Sequence, residues 1–155
     1  MTVDGRFILR GAIDLVERKV GTNVLRVTDY KTGKNRSERG SVISGGQQLQ
    51  PVIYSLVVEA ATGSSVDSAR FSYCTTAGEF SEHSVPINER TRAAGIEALE
   101  IIDRAVELGR LPPAPAEKAC RFCDFLMVCG PNQERHAQRK AREIIGDVIE
   151  LRGRQ

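Results

Sequence analysis

Val27-Thr28-Asp29-Tyr30-Lys31-Thr32-Gly33-Lys34 is the stretch from which the rest of the chain is best read. An apolar run leads into an acid, a spacer and a lysine, then stops at a glycine. The strand period of two places Asp29 and Lys31 on one face. Upstream, Gly11-Ala12-Ile13-Asp14 carries a second acid within an apolar, strand-like run. Residues 6–17 read as one strand, with Gly11 marking a bulge or a close approach. Gly21-Thr22-Asn23 is a turn signal, and Val24 to Tyr30 reads as the returning strand. Residues 6–30 are therefore predicted to form a β-hairpin with one acid on each arm.

Two carboxylates and a lysine on neighbouring strands are the groups needed to hold a divalent metal and cut a phosphodiester. That chemistry requires a Lewis acid on the phosphate, an activated water and a cation near the developing charge. Mg²⁺ (or Mn²⁺) takes oxygen ligands, usually one or two carboxylates plus waters and phosphate oxygens. Asp14 and Asp29 supply carboxylates, the Tyr30 carbonyl is a further candidate ligand, and Lys31 points at the water or the phosphate. Asp-x-Lys alone recurs by chance, so the assignment depends on what surrounds it.

Residues 32–46 read as a basic loop, in which Lys34, Arg36 and Arg39 are candidate DNA phosphate contacts. A helix is predicted from about Gln47 to Ala61, starting near Leu49 because Pro51 is tolerated only in a first turn. Gly63 stops it. Gln50 and Tyr54, four apart, share a face of that helix. Val66 to Thr76 and Phe80 to Ile87 read as antiparallel strands around Ala77-Gly78. Asn88 is a plausible N-cap for a helix from Glu89 to about Leu108. Pro112 to Pro115 is a stiff connector. A Cys-rich knot follows, and then a charged helix from about Asn132 to Leu151.

Composition narrows the function classes. A chain of 155 residues with 41% apolar and 27% charged content is long enough for one domain with a real core. Its net charge of +2 does not by itself predict a nucleic-acid partner. Aromatics make up 5% and Trp is absent, which argues against a base-stacking surface. No signal pattern and no long apolar run occur, so no membrane role is expected and a cytoplasmic location is the default. In that compartment four cysteines argue for metal or cluster ligation over disulfides. Cys120, Cys123 and Cys129 lie within ten residues, a spacing suited to one shared metal or cluster. The fourth ligand is open: Cys74, which more often would be core, His136 in a Cys₃His zinc site, or a group upstream of residue 1.

Gly11-x-Ile13-Asp14, Asp29-Tyr30-Lys31-Thr32-Gly33, Leu49-Gln50-Pro51-Val52-Ile53-Tyr54 and Cys-x2-Cys-x5-Cys, in that order, resemble the PD-(D/E)XK nuclease superfamily. The match is to its RecB-like branch, the AddB- and Cas4-type exonuclease domains with an iron–sulfur cluster. The resemblance implies an α/β fold with a restriction-endonuclease-like core, a central mixed β-sheet flanked by helices. It divides the chain into a nuclease core at 1–115 lacking its first helix, a cluster-binding segment at 116–131 and a charged C-terminal helix at 132–155, all one domain. Asp14 and Asp29 match the metal-binding acids, Lys31 the catalytic lysine, and Gln50 and Tyr54 the Gln-x3-Tyr motif. Cys120, Cys123 and Cys129 match three ligands of a [4Fe–4S] cluster. The branch's metal-binding His and first cluster Cys lie upstream of the first strand, so the chain reads as a fragment. The implied function is a Mg²⁺-dependent DNA nuclease, an exonuclease in end processing, recombination or repair. Helicase-like domains or a partner subunit would accompany it. The rival is a non-cutting DNA-binding or scaffold module stabilised by an iron–sulfur cluster or zinc.

Overall fold

In the computed structural model, which describes residues 1–37 and 40–154, the Asp29 strand is central to a four-stranded sheet. The strands are β3 (Leu15–Arg18), β4 (Leu25–Lys31), β5 (Val66–Tyr73) and β6 (Glu82–Pro86), in that spatial order. β3 and β4 are antiparallel, β4 and β5 parallel, and β5 and β6 antiparallel, so the sheet is mixed. A parallel pair needs a crossover, and helix α1 (Gln50–Thr62) supplies it between β4 and β5. The α/β class and the helix-flanked mixed sheet implied by the sequence are what the chain adopts.

The single strand expected at 6–17 is broken. β1 (Thr2–Val3) and β2 (Phe7–Ile8) form their own small hairpin, closed by paired backbone bonds between Met1 and Leu9. β3 begins only at Leu15, after a bend at Asp14. Two causes are visible. The hydrogen-bonding edge of β2 is used by β1 rather than β4. The Asp14 carboxylate accepts the Tyr30 N–H at 2.8 Å, replacing a ladder bond with a side-chain bond. The hairpin that does form, β3–β4, is the shorter Leu15–Lys31 part of the one predicted.

α1 starts at Gln50, with Pro51 at its second position, where the missing N–H costs nothing. It ends at Gly63 in the left-handed region, whose N–H closes on the Glu59 carbonyl. The 3₁₀ turn Ser44–Gly46 precedes it, and Ser41 and Ile43 are buried there. The second half of the expected basic loop is thus part of the core, whereas Lys34 and Arg36 are exposed. Arg39 lies outside the described residues.

Helix α2 (Glu89–Glu107) opens with the reciprocal cap its sequence suggested. Asn88 Oδ1 accepts the Thr91 N–H at 3.1 Å, and the Thr91 hydroxyl accepts the Asn88 N–H at 2.7 Å. Gly95 lets α2 approach α1, because a Cβ there would stand 2.6 Å from Val52 Cγ1 and 3.1 Å from Leu56 Cδ1. Val27, Val52, Val66, Ala69 and Val85 fill the core between sheet and helices. The other face of the sheet is polar: Glu17 pairs with Arg26 at 2.9 Å and Arg70 with Glu82 at 2.8 Å.

The chain divides into two compact units, Met1–Leu99 with Arg154, and Glu100–Gly153. The second holds the end of α2, the proline connector, a 3₁₀ turn at Ala119–Phe122, α3 (Leu126–Cys129), α4 (Gln133–Ala137) and α5 (Arg142–Arg152). The one charged helix predicted at 132–151, and so the single helix assigned to 132–155, is two helices. α4 closes with tightened bonds from Arg139 N to His136 O and from Lys140 N to Ala137 O, and Ala141 is extended at ψ 142°. Arg135, His136, Arg139, Lys140 and Arg142 explain the break. In one helix they would form like-charge pairs three and four apart, each costing about 0.2–0.5 kcal/mol when charged. Split, Arg135, His136, Arg139 and Lys140 sit at or just past the C-terminus of α4, where its dipole favours them, while Arg142 opens α5. Buried Asp147 anchors α5 through Arg104 at 2.8 Å. No helix among the described residues is long and apolar enough to cross a membrane.

Arg92 ties α2 to α1 and β5. Its guanidinium meets Glu59 at 2.6 and 3.0 Å and the Val66 carbonyl at 2.9 Å, while Glu59 accepts the Val66 N–H at 2.8 Å. Burial pushes the Glu59 carboxyl up, but the bonds from Arg92 and Val66 and the Arg92 charge outweigh it, so its pKa lies below the ordinary value of 4.5. The stability this pair lends is therefore present above that value and lost as pH falls through the folded pKa. Two outcomes are expected. Arg92→Gln lowers stability by about 1–3 kcal/mol at pH 7 and raises the pH at which acid unfolding begins, read by circular dichroism; an unchanged acid limb would count against the pair. Gly95→Ala destabilises by about 1–3 kcal/mol in urea titration, because the stiff Val52 side chain outweighs the roughly 0.5–1 kcal/mol helix preference for Ala. A more stable Gly95→Ala would show that the helices move apart freely.

Candidate active site

β4 builds the site by alternation. Leu25, Val27 and Asp29 are all buried, with Lys31 following on the same side. Asp29 is only 7% exposed, an unusual position for a carboxylate. Its Oδ2 is buried and accepts no well-directed hydrogen bond, although the Lys31 ammonium stands 2.6 Å away as an ion pair. The Lys31 Nζ donates to Gln50 Oε1 at 2.5 Å, and Gln50 Nε2 donates to the Tyr54 hydroxyl at 3.2 Å. Asp29, Lys31, Gln50 and Tyr54 thus form one polar chain from the strand to the first turn of α1.

Asp14 joins from the other arm. Leu15 pairs with Thr28, so the antiparallel register continued by one residue sets Asp14 opposite Asp29. Its Oδ2 is held by the Tyr30 N–H, and the rest of the exposed carboxylate is turned outward from that bond. The Tyr30 side chain is exposed. Gly11 runs close to the site: a Cβ there would lie 3.8 Å from the Tyr54 ring. Of the five residues singled out on the hairpin and first helix, Asp29, Lys31, Gln50 and Tyr54 are joined by direct contacts, and Asp14 is tied to the same strand through the Tyr30 N–H.

Sequence reasoning missed Phe71. Its ring lies 4.9 Å below the Lys31 ammonium, and its register partner on β4 is Asp29. A ring face favours a cation there. Its only signal was an aromatic in a strand, with no way to know which residue it would face. His83, across β5 at the position paired with Phe71, is separated from Asp29 by that ring and does not join the acids. It borders instead a polar cavity of about 520 Å³ lined also by Lys34, Asn35, Ser37 and Ser81. Lys34 is thereby beside the acid–lysine strand, and Arg36 is exposed further along.

The residues fit a hard divalent cation. The buried, unbonded Asp29 oxygen and the exposed Asp14 carboxylate, held by the Tyr30 N–H, are oxygen donors of the right chemistry. Among the described residues no three His, Cys, Asp or Glu side chains converge as a cage. A cation here would thus draw on the two acids, backbone oxygen, water and substrate.

Cys120, Cys123 and Cys129 line one mainly apolar cavity of about 390 Å³ in the second unit, with Pro113, Phe125 and Leu126. Burial, then the charge of Glu134 and the nearby thiols, push the Cys120 thiol up. Three soft donors in one apolar cavity suit a soft metal or cluster, with thiols that have not yet converged. His136, the zinc reading's fourth ligand, is exposed on α4 and is not in the cavity wall. Cys74 is exposed just past β5 rather than core.

The acid–lysine strand lies beside a crossover helix in a mixed sheet. Residues 1–130 match the PD-(D/E)XK nuclease superfamily, and the chain belongs to it. The chain is also similar to a CRISPR-associated exonuclease Cas4/endonuclease Cas1 fusion from Leptospira interrogans serogroup Icterohaemorrhagiae serovar Lai (strain 56601). The two are 28% identical over 130 residues, 81% of this chain and 23% of that protein. The chain therefore spans well under two thirds of that relative's length.

Burial pushes the His83 imidazole below its ordinary value of 6.5, so the ring is neutral in the fold at pH 7. Its contribution is present above that value and lost as pH falls through the folded pKa. His83→Gln should reduce the loss of melting temperature between pH 7.5 and 5.5; an undiminished loss would place the acid sensitivity elsewhere.

Proposed function

We propose that this chain is the nuclease part of a divalent-metal-dependent DNA exonuclease. The observation that carries this reading is the buried, unbonded Asp29 oxygen 2.6 Å from Lys31, with Asp14 just before the adjoining strand. PD-(D/E)XK nucleases generally use divalent metals. Bound by Asp14, Asp29 and the Tyr30 carbonyl, Mg²⁺ or Mn²⁺ would polarise the scissile phosphate and lower the pKa of a water. Lys31 leaves Asp29, orients the attacking water and stabilises charge on the phosphate. Gln50 holds the ammonium in line, and Tyr54 fixes the Gln50 amide. Lys34, Arg36 and Arg39 contact the DNA backbone.

The three cysteines supply three ligands of a [4Fe–4S] cluster, and the fourth comes from outside the residues named here. The exposed position of His136 favours this over zinc. The Leptospira relative carries its exonuclease Cas4 part fused to endonuclease Cas1. A partner of that kind, rather than helicase-like domains, is the one this similarity supports. The role this reading gives it is DNA end processing linked to recombination or repair, in the cytoplasm. The alternative, a DNA-binding or scaffold module that does not cut, rests on the lack of a third converging acid or His among the described residues.

The full protein incubated with linear DNA and Mg²⁺ or Mn²⁺ should release nucleotides. Lys31→Ala should cut about 10²-fold or more slowly, the scale of losing one transition-state donor. A Lys31→Ala enzyme as fast as wild type removes the lysine from the chemistry, and a wild type inert with both metals leaves the binding module. Protein purified without oxygen should be brown and carry iron and acid-labile sulfide. A colourless protein with one equivalent of zinc would overturn the cluster.

A further inference from the structure

The first turn of α4 grips both ends of the cysteine loop. Glu134 Oε1 accepts the Cys120 N–H at 3.1 Å. Gln133 Nε2 donates to the Cys129 carbonyl and lines the same cavity as the three thiols. Adjacent side chains thus hold the backbone of the first and the last cysteine, one by accepting and one by donating. Neither is suited to the metal itself. Glu134 Oε1 already takes the Cys120 N–H, and a Gln amide is a poor ligand for soft iron or zinc.

The loop needs such support. From Cys120 to Cys129 it has only a 3₁₀ turn and the short α3. Phe125, Met127 and Val128 are exposed at 67%, 93% and 83%, so packing does little to order it. Ordering the loop at the moment of binding would subtract from affinity, whereas ordering it beforehand does not. Hydrogen bonds to the backbone of the outer two cysteines order the main chain at both ends of the loop.

We propose that Glu134 and Gln133 are positioning residues that preset the spacing of Cys120 and Cys129 for metal or cluster capture. This rests on the three cysteines acting together as ligands. Neither residue touches the metal, so their effect is on affinity and not on the ligand set.

The test is a titration of the reduced, metal-free full chain with Co²⁺ under anaerobic conditions, read by the thiolate-to-cobalt charge-transfer band. Wild type should give a band of three-thiolate intensity that falls in Cys120→Ser. Glu134→Ala and Gln133→Ala should each bind Co²⁺ about ten-fold or more weakly, yet reach the wild-type band at saturation. Glu134→Gln keeps an acceptor oxygen and should bind within about three-fold of wild type. Folding of each variant is checked by the melting of the metal-free chain, which should match wild type. Wild-type affinity in both alanine variants overturns the clamp alone. Equal weakening in Glu134→Gln and Glu134→Ala assigns the effect to charge and overturns it too. A wild type without a thiolate band removes the three-cysteine site, and the clamp with it.

Discussion

Asp29 and Lys31 stand on the same side of β4, 2.6 Å apart, at the end of a strand whose other inward residues are Leu25 and Val27. A carboxylate in that position has left water for a partly apolar wall, a transfer costing several kcal/mol unless a charge partner compensates it. Lys31 is that partner in the metal-free fold. The pair is not sealed, because the ammonium also reaches Gln50 and the Phe71 ring and keeps 31% of its side chain exposed. Asp29 Oδ2 accepts no directed bond from any described residue. Such a carboxylate is held in place by the fold and compensated by a charge that is part-exposed. A dication could therefore take over the compensation, leaving the lysine for substrate.

The surrounding structure serves that contact. The parallel pairing of β4 with β5 requires a crossover, and the crossover helix brings Gln50 and Tyr54 over the strand end. The antiparallel arm brings Asp14 opposite Asp29, and the bond from Tyr30 N keeps it there after the ladder has stopped. Arg92 and Glu59 fasten α1 to α2 and β5. The cysteine unit is organised separately, around a cavity whose lining residues all come from 113–133.

Elements whose signals are local were legible in the sequence. The Gly21-Thr22-Asn23 turn, the alternation along β4, the Pro51 start, the Gly63 stop and the Asn88 cap each depend on a few adjacent residues, and each lies within a residue or two of its expected place. The run of contacts from Asp29 through Lys31 and Gln50 to Tyr54 was legible through the order of the motifs, since a strand followed by a crossover helix leaves few ways to arrange them. What failed depended on distant partners or on crowded like charge. Residues 6–17 have strand-forming composition throughout, but which strand pairs with Phe7-Ile8 is a tertiary choice, and β1 takes it. The 132–151 run has helical composition, but its density of positive charge splits it. Phe71 beneath Lys31 follows from register between strands forty residues apart, which composition does not encode.

The central claim is that Asp29 is a metal-binding carboxylate that Lys31 neutralises until a cation arrives. Mn²⁺ titration followed by electron paramagnetic resonance tests it directly on wild type, Asp29→Asn and Lys31→Ala. Wild type should bind one Mn²⁺ per site. Asp29→Asn should bind about ten-fold or more weakly, and Lys31→Ala at least as tightly as wild type because a competing cation has gone. Equal Mn²⁺ affinity in wild type and Asp29→Asn would contradict the account, as would a marked loss of affinity in Lys31→Ala.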